Sequence, residues 1–254
     1  MLPPALNVRS RDTTSLTHVA DGRLIQHSMT SIIQGTPLWE QVFPFSDNDT
    51  DISEVWFKGF NIPAILADHD NPRVVFIGSR DIKTAQWRHT VSLVNAIARS
   101  APQAIIITGL SLGTEQAAAE AALDNGLRVV AALSHGIDID IYPSIQAPLA
   151  ERIIEAGGGL VTNMAPGEAP LAMTFLRRTH LMVALGKTLV IPACRRRGAA
   201  MVAAKLAAQK HRYHGSVFAL PGELDDLRAE GCNRLIADGA ARALARCEDI
   251  ELYL

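Results

Sequence analysis

This chain of 254 residues has few cysteines, few aromatic residues, no long apolar run, and one stretch with no acidic residue. The three cysteines, Cys194, Cys232 and Cys247, lie far apart and without metal-ligand spacing. That pattern excludes a disulfide framework and a zinc module, and it fits reduced thiols in a cytoplasmic protein. Aromatics make up 5% of the residues, so Ala, Val, Leu and Ile must do the packing. This composition suits parallel strands buried on both faces. No apolar run approaches the roughly 20 residues of a membrane span, and no basic start leads into an apolar segment as in a secretory leader. No membrane partner is expected.

Hydrophobic residues account for 48% and charged residues for 20%, enough for a sizeable core. The net charge is −2, but it is unevenly spread. Residues 177–214 hold nine Lys or Arg and no acid, whereas residues 1–73 hold nine acids against five bases. An all-cationic block in a slightly acidic chain is either a solvated face or a surface for an anion.

From Arg73 onward, short apolar runs alternate with helical patterns. Strands are expected at Val74–Gly78, Ala104–Thr108, Arg128–Leu133, Gly159–Asn163, Thr188–Ala193 and Ser216–Gly222. Helices are expected from about Thr84 to Ser100, Thr114 to Asn125, after Tyr142-Pro143, from Phe175 to Leu185, and after Gly198. The alternation predicts an α/β fold with a Rossmann-like, open, mostly parallel sheet and helices on both faces. That domain is assigned to residues 71–254. Residues 1–70 read as an N-terminal extension or small subdomain, with a polar loop at Pro44–Asp51 and an apolar segment at Glu54–Leu66 that packs on the domain.

In such sheets, ligands bind beyond the carboxyl ends of the strands. Three strand-to-helix turns there suit phosphate. Gly78-Ser79-Arg80 offers close backbone approach, a hydroxyl and a guanidinium fork. Thr108 to Thr114, with Gly109 and Gly113, offers amides at a helix start. Arg195-Arg196-Arg197-Gly198 puts three cations where a helix begins, a position that repels cations unless they point to water or meet an anion. A fourth candidate is Phe175 beside Arg177 and Arg178, a ring and cations as used on single-stranded nucleic acid. The alternative role for Phe175 is a core residue at a helix start.

Catalytic constellations are hard to find. There is no G-x-G-x-x-G after the first strand and no G-x-x-x-x-G-K-[ST]. None of the eight histidines has a Cys or carboxylate at ligand spacing. Asp138 and Asp140 sit by a proline turn and suit capping. No cofactor and no metal are expected.

Read in order, FIGSR from Phe76, TGLSLGTEQAAAEAAL from Thr108, HGIDIDIYP from His135, GLVTNMAPGEAP from Gly159, FLRRTHLMVAL from Phe175 and VFALPGELDDLRAEGCNRLIADGAA from Val217 resemble the DNA-processing protein A (DprA/Smf) family. The order holds across roughly residues 74–241. The resemblance implies a Rossmann-like domain that binds single-stranded DNA without turnover, forms a homodimer and works with the RecA recombinase. It matches Gly78, Ser79 and Arg80 to a phosphate-contacting turn and Gly109 and Gly113 to the second loop. Phe175 matches a base-contacting aromatic, and Arg178 the arginine after it.

The chain also departs from the pattern. Leu112 replaces an arginine, Thr114-Glu115 replace Ile-Asp, Ala119 a histidine and Ala172 a lysine. Arg178-Thr179-His180 stands for an RNR triplet, and Arg197 for a serine. Polar contacts are thus lost at one end of the pocket and charge is gained at Arg195–Arg197. Two other readings follow from the same residues. One is a nucleotide-binding enzyme or sensor related to nucleoside-monophosphate phosphoribohydrolases. The other is a scaffold subunit whose basic block meets an acidic protein.

Overall fold

The computed structural model describes residues 16–20, 23–27, 29–43, 52–209 and 216–254, the first two stretches and residue 209 by backbone alone. The expected loop Pro44–Asp51 and the last residues of the cationic block, 210–214, lie outside the described residues. A hairpin of β1 (Leu16–Ala20) and β2 (Arg23–His27) comes first. It is followed by β3 (Met29–Ile33), α1 (Pro37–Val42), β4 (Glu54–Gly59) and α2 (Ile62–Ala67). Next come β5 (Arg73–Phe76), α3 (Thr84–Ser100), β6 (Ile105–Thr108), α4 (Thr114–Asp124), β7 (Arg128–Ala132), α5 (Ala147–Glu155) and β8 (Gly159–Thr162). The chain continues through α6 (Ala172–Leu185), β9 (Thr188–Ile191), α7 (Ala199–Gln209), β10 (Ser216–Ala219), α8 (Glu230–Ala237) and β11 (Arg242–Ala243).

Nine strands form one sheet in the order β11-β10-β9-β5-β6-β7-β8-β4-β3. From β11 to β8 every pairing is parallel, and β4 and β3 add antiparallel strands at one edge. The α/β, Rossmann-like architecture expected from the alternation is therefore present. Every residue of β5, β6, β8 and β9 is buried, because helices cover both faces. Successive side chains point to opposite faces. Val74 and Phe76 pack with Leu93, Val94 and Ile97 of α3, with the alanines of α4 and with α5. Val75 and Ile77 pack on the other side with α6, α7, α8, Trp39 of α1 and Ile62 of α2.

The segment before residue 71 is tied into this sheet. Trp56 to Gly59 pair with Thr162 to Gly159, and β3 pairs with β4. Glu54–Leu66, expected only to pack on the domain, supplies the strand between β8 and β3 and most of a short helix. Burial alternates along β4, with Val55, Phe57 and Gly59 inward. In α3, Thr90, Leu93, Val94, Ala96 and Ile97 are buried, whereas Trp87 and Val91 are half-buried.

Strand order and helix side together create the site. Neighbouring strands β5 and β9 lead into α3 and α7 on opposite faces. Their outgoing loops diverge and leave a crevice at the carboxyl ends, the switch point where open α/β sheets bind ligands. No helix among the described residues is long and apolar enough to cross a membrane.

Candidate functional site

A cavity of about 380 Å³ occupies this crevice. The turn after β5 forms one wall with Gly78, Ser79, Arg80 and Asp81. The opposite wall comes from the loop after β9, through Cys194, Arg195, Arg197 and Gly198. Phe175 and Arg178 of α6 close the floor. The first turn needs glycine because two elements converge on it. A Cβ on Gly78 would stand 2.6 Å from Thr114 Oγ1 and 2.7 Å from the Ala193 carbonyl oxygen. The Ser79 amide donates to that same carbonyl at 2.8 Å, and the Ser79 carbonyl accepts from the Thr114 amide at 3.1 Å. The loops after β5, β6 and β9 are therefore locked into one rim.

The second loop already holds an anion, and the anion belongs to the protein. Glu115 Oε2 accepts from the amides of Gly109 at 3.0 Å and Ser111 at 3.2 Å. Arg178 donates from Nη1 to the Gly109 carbonyl at 2.6 Å and from Nη2 to Ser111 Oγ at 3.2 Å. Its Nη2 lies 3.7 Å from Glu115 Oε2, and both side chains are at most 5% exposed. Burial pushes the Arg178 guanidinium below its usual range, and the Glu115 charge opposes that. Those loop amides, expected to face a ligand, are thus engaged internally. Gly109, Gly113 and Thr114 support the cavity from beneath and do not line it. Sequence reading did not mark Glu115 as a loop ligand. Its signal was a carboxylate at the start of a helix, where amides are unpaired.

The cations divide into distinct groups. Arg177 turns away to Glu168 and the Asn163 carbonyl, both at 2.8 Å. Arg196 faces Glu230 at 3.5 Å. Arg195 lines the cavity but binds Asp81 at 2.6 Å, and Arg228 shares that carboxylate at 3.0 Å. Hydrogen bonds from Arg228 and Arg195 hold the Asp81 carboxyl below the usual carboxylate range. Arg80 and Arg197 are exposed and have no carboxylate partner among the described residues. Asp81 and Arg228, 147 positions apart, were not expected at the site.

Phe175 is half-buried and is not simply a core residue. The Arg80 guanidinium carbon lies 5.2 Å from its ring centroid, that of Arg178 5.4 Å, and Tyr142 meets it edge-on at 6.0 Å. Cations over an aromatic face attract its quadrupole. Tyr142 is held by the preceding loop. Its amide donates to His135 Nε2 at 3.2 Å, while His135 Nδ1–H donates to the Gly136 carbonyl at 2.8 Å. Nε2 must stay unprotonated to accept. Burial lowers the His135 pKa from 6.5, so the fold favours the neutral ring. Stability from this contact is present at neutral pH and is lost on acidification, when the unfolded chain takes up a proton that the fold resists. Acid is therefore expected to free the Tyr142 amide. Its chemical shift in an NMR titration should move as pH falls below 6.5. A shift that stays constant down to the carboxylate range would contradict this. Asp138, for its part, accepts from the Gly167 amide at 2.8 Å, a turn-building role as expected.

Residues 63–253 match the family model described as DNA recombination-mediator protein A. The DNA processing protein DprA of Streptococcus pneumoniae is 27% identical over 197 residues, covering 75% of this chain and 65% of that protein. A putative DNA processing protein DprA of Mycobacterium tuberculosis is 32% identical over 197 residues, covering 77% and 48%. Protein Smf of Escherichia coli is 35% identical over 136 residues, covering 53% and 35%. The chain thus spans between 35% and 65% of the length of these relatives. The X-ray structure of DprA from S. pneumoniae superposes with a TM-score of 0.75 at 22% identity, covering 87% of this chain and 73% of that one. A structure of DNA processing protein A from Helicobacter pylori, solved for its single-stranded DNA binding mode, gives 0.71 at 23%, covering 88% and 94%. These two likenesses establish the shared fold. The match over residues 63–253 makes this chain a member of the DNA recombination-mediator protein A (DprA/Smf) family.

Proposed function

We propose that the chain binds single-stranded DNA in the β5/β9 crevice, as a non-catalytic recombination and DNA-uptake protein. The observation that carries this reading is the placement of Arg80, Arg197 and the half-exposed Phe175 ring around one cavity. Cations neutralise the backbone phosphates, and the ring stacks on a base, with little sequence preference. Gly78, Ser79 and Gly198 let the strand approach the backbone, and Arg195 joins when the strand displaces it from Asp81. Arg177 and Arg196 belong to the flanking surface, and Gly109, Gly113, Thr114 and Arg178 to its support. The same reading includes a cytoplasmic homodimer and RecA as partner. Sedimentation and co-elution with RecA test those two associations.

Titration with poly-dT at several salt concentrations tests the site. Affinity should fall with salt at a log–log slope of about −0.7 per neutralised phosphate. Arg80→Ala with Arg197→Ala should remove about two phosphate contacts from that slope. Asp81→Asn releases Arg195, while Arg228 keeps Asp226, and should tighten binding at low salt. A flat salt dependence, or a double variant indistinguishable from the parent, sinks the proposal.

A second reading draws on the cavity itself. Its volume of about 380 Å³ suits a single nucleotide, as in a nucleotide-binding enzyme or sensor. A rise in melting temperature with a mononucleotide, absent with oligonucleotides, would favour it.

A further inference from the structure

Cys194 and Cys232 stand 38 positions apart, yet the fold brings their Sγ atoms to 3.6 Å. Cys194 follows β9 and Cys232 lies in the first turn of α8, and both are buried. Met201 of α7 adds a third sulfur, its Sδ 4.0 Å from Cys194 Sγ. Three elements that converge behind the arginine loop therefore bring one sulfur each.

We propose that Cys194, Cys232 and Met201 form a three-sulfur site for a soft monovalent cation, with cuprous ion as the occupant. Thiolate and thioether sulfurs select soft ions over hard ones such as magnesium or calcium. Metal–thiolate bonds of about 2.3 Å put the sulfurs of a trigonal site about 4 Å apart. Cys194 Sγ stands 3.6 Å from Cys232 Sγ and 4.0 Å from Met201 Sδ, both near that value. The surroundings are fixed. The Gly231 amide donates to the Cys194 carbonyl at 2.9 Å. A Cβ on Gly231 would stand 2.6 Å from Cys194 Sγ, so only glycine lets α8 press so close to the sulfur. Cys232 Sγ–H donates to the Ile191 carbonyl at 3.4 Å. Entry is through the crevice, because Cys194 lines it.

Binding balances without redox change. Two S–H bonds lose their protons to solvent as two sulfur–metal bonds form, the Met201 thioether donates a lone pair, and the ion keeps its oxidation state. The filled site carries one net negative charge beside Arg195 and Arg197. The hydrogen bond with Cys232 and burial hold the Cys194 thiol above its usual range. Because binding releases protons, uptake strengthens as pH rises.

The test uses the full, reduced chain without oxygen, titrated with cuprous ion against the chromogenic chelator bathocuproine disulfonate. One ion per chain should be withdrawn from the chelator, with one copper adduct in the native mass spectrum. Cys194→Ser and Cys232→Ser should each abolish retention, and Cys247→Ser should leave it intact. Met201→Leu keeps the core volume and should weaken retention about tenfold or more. If either serine variant fails to fold by circular dichroism, the parent stoichiometry and Met201→Leu decide. No withdrawal by the parent, unchanged retention in Met201→Leu or in a folded serine variant, or a Cys194–Cys232 disulfide under these conditions would overturn the site. None of these readouts involves DNA, so the result stands apart from the nucleic-acid reading.

Discussion

Arg178→Ala is expected to cost about 3–5 kcal/mol of folding stability, the cost of leaving a buried charge without its partner. The guanidinium touches the Gly109 carbonyl, Ser111 Oγ and the Glu115 carboxylate at once. Without it, Glu115 keeps its two amide donors but loses its ion-pair partner, in a place with almost no solvent. Urea unfolding followed by circular dichroism measures the effect as a lower midpoint at unchanged slope. The double change Glu115→Gln with Arg178→Met should lose less than Arg178→Ala alone, because a pair removed together leaves no orphan charge. A loss below about 1 kcal/mol for the single variant would place the pair among exposed ion pairs and contradict the geometry.

Gly113→Ala comes next in size. The residue has φ +74°, and an added Cβ would lie 2.4 Å from the Arg80 carbonyl oxygen and 2.5 Å from that of Ser79. Both are backbone atoms of the first turn, so no side chain can swing aside. Strain at positive φ, about 1 kcal/mol, adds to overpacking of about 1–3 kcal/mol. Gly157 provides the control. Its φ is +79°, but nothing lies within 4 Å of the added atom. Gly157→Ala should therefore show the conformational cost of about 1 kcal/mol alone. Equal unfolding midpoints for the two variants would mean that the second loop does not press on the first. In the DNA titration, Gly113→Ala should also weaken binding, because the turn it displaces carries Arg80.

The central strands were legible because burial on both faces demands near-continuous apolar runs such as Val74–Ile77 and Ile105–Ile107. Strand β4 was not, because Glu54 and Lys58 leave only a three-residue apolar run between them and the alternation is short. Its place in the sheet depends on Gly159–Thr162, a hundred residues later. The site was half legible. Gly78, Arg80, Phe175 and Arg197 meet at one cavity, as their positions at strand ends and helix starts implied. Which arginines are free was not readable. Charge counting cannot see that Asp81 takes Arg195 from 114 positions away, or that Glu230 takes Arg196.

The order of residues thus determined the period of each element, the parallel core and the turns at its carboxyl edge. These depend on local stereochemistry and on which side chains avoid water. Tertiary structure alone decided the pairing of Glu115 with Arg178, the neutralisation of Arg195 by Asp81, and the meeting of Cys194, Cys232 and Met201. Those contacts join residues distant along the chain, and they exist only once packed helices and strands fix the ångström-scale distances on which ion pairs and sulfur contacts depend.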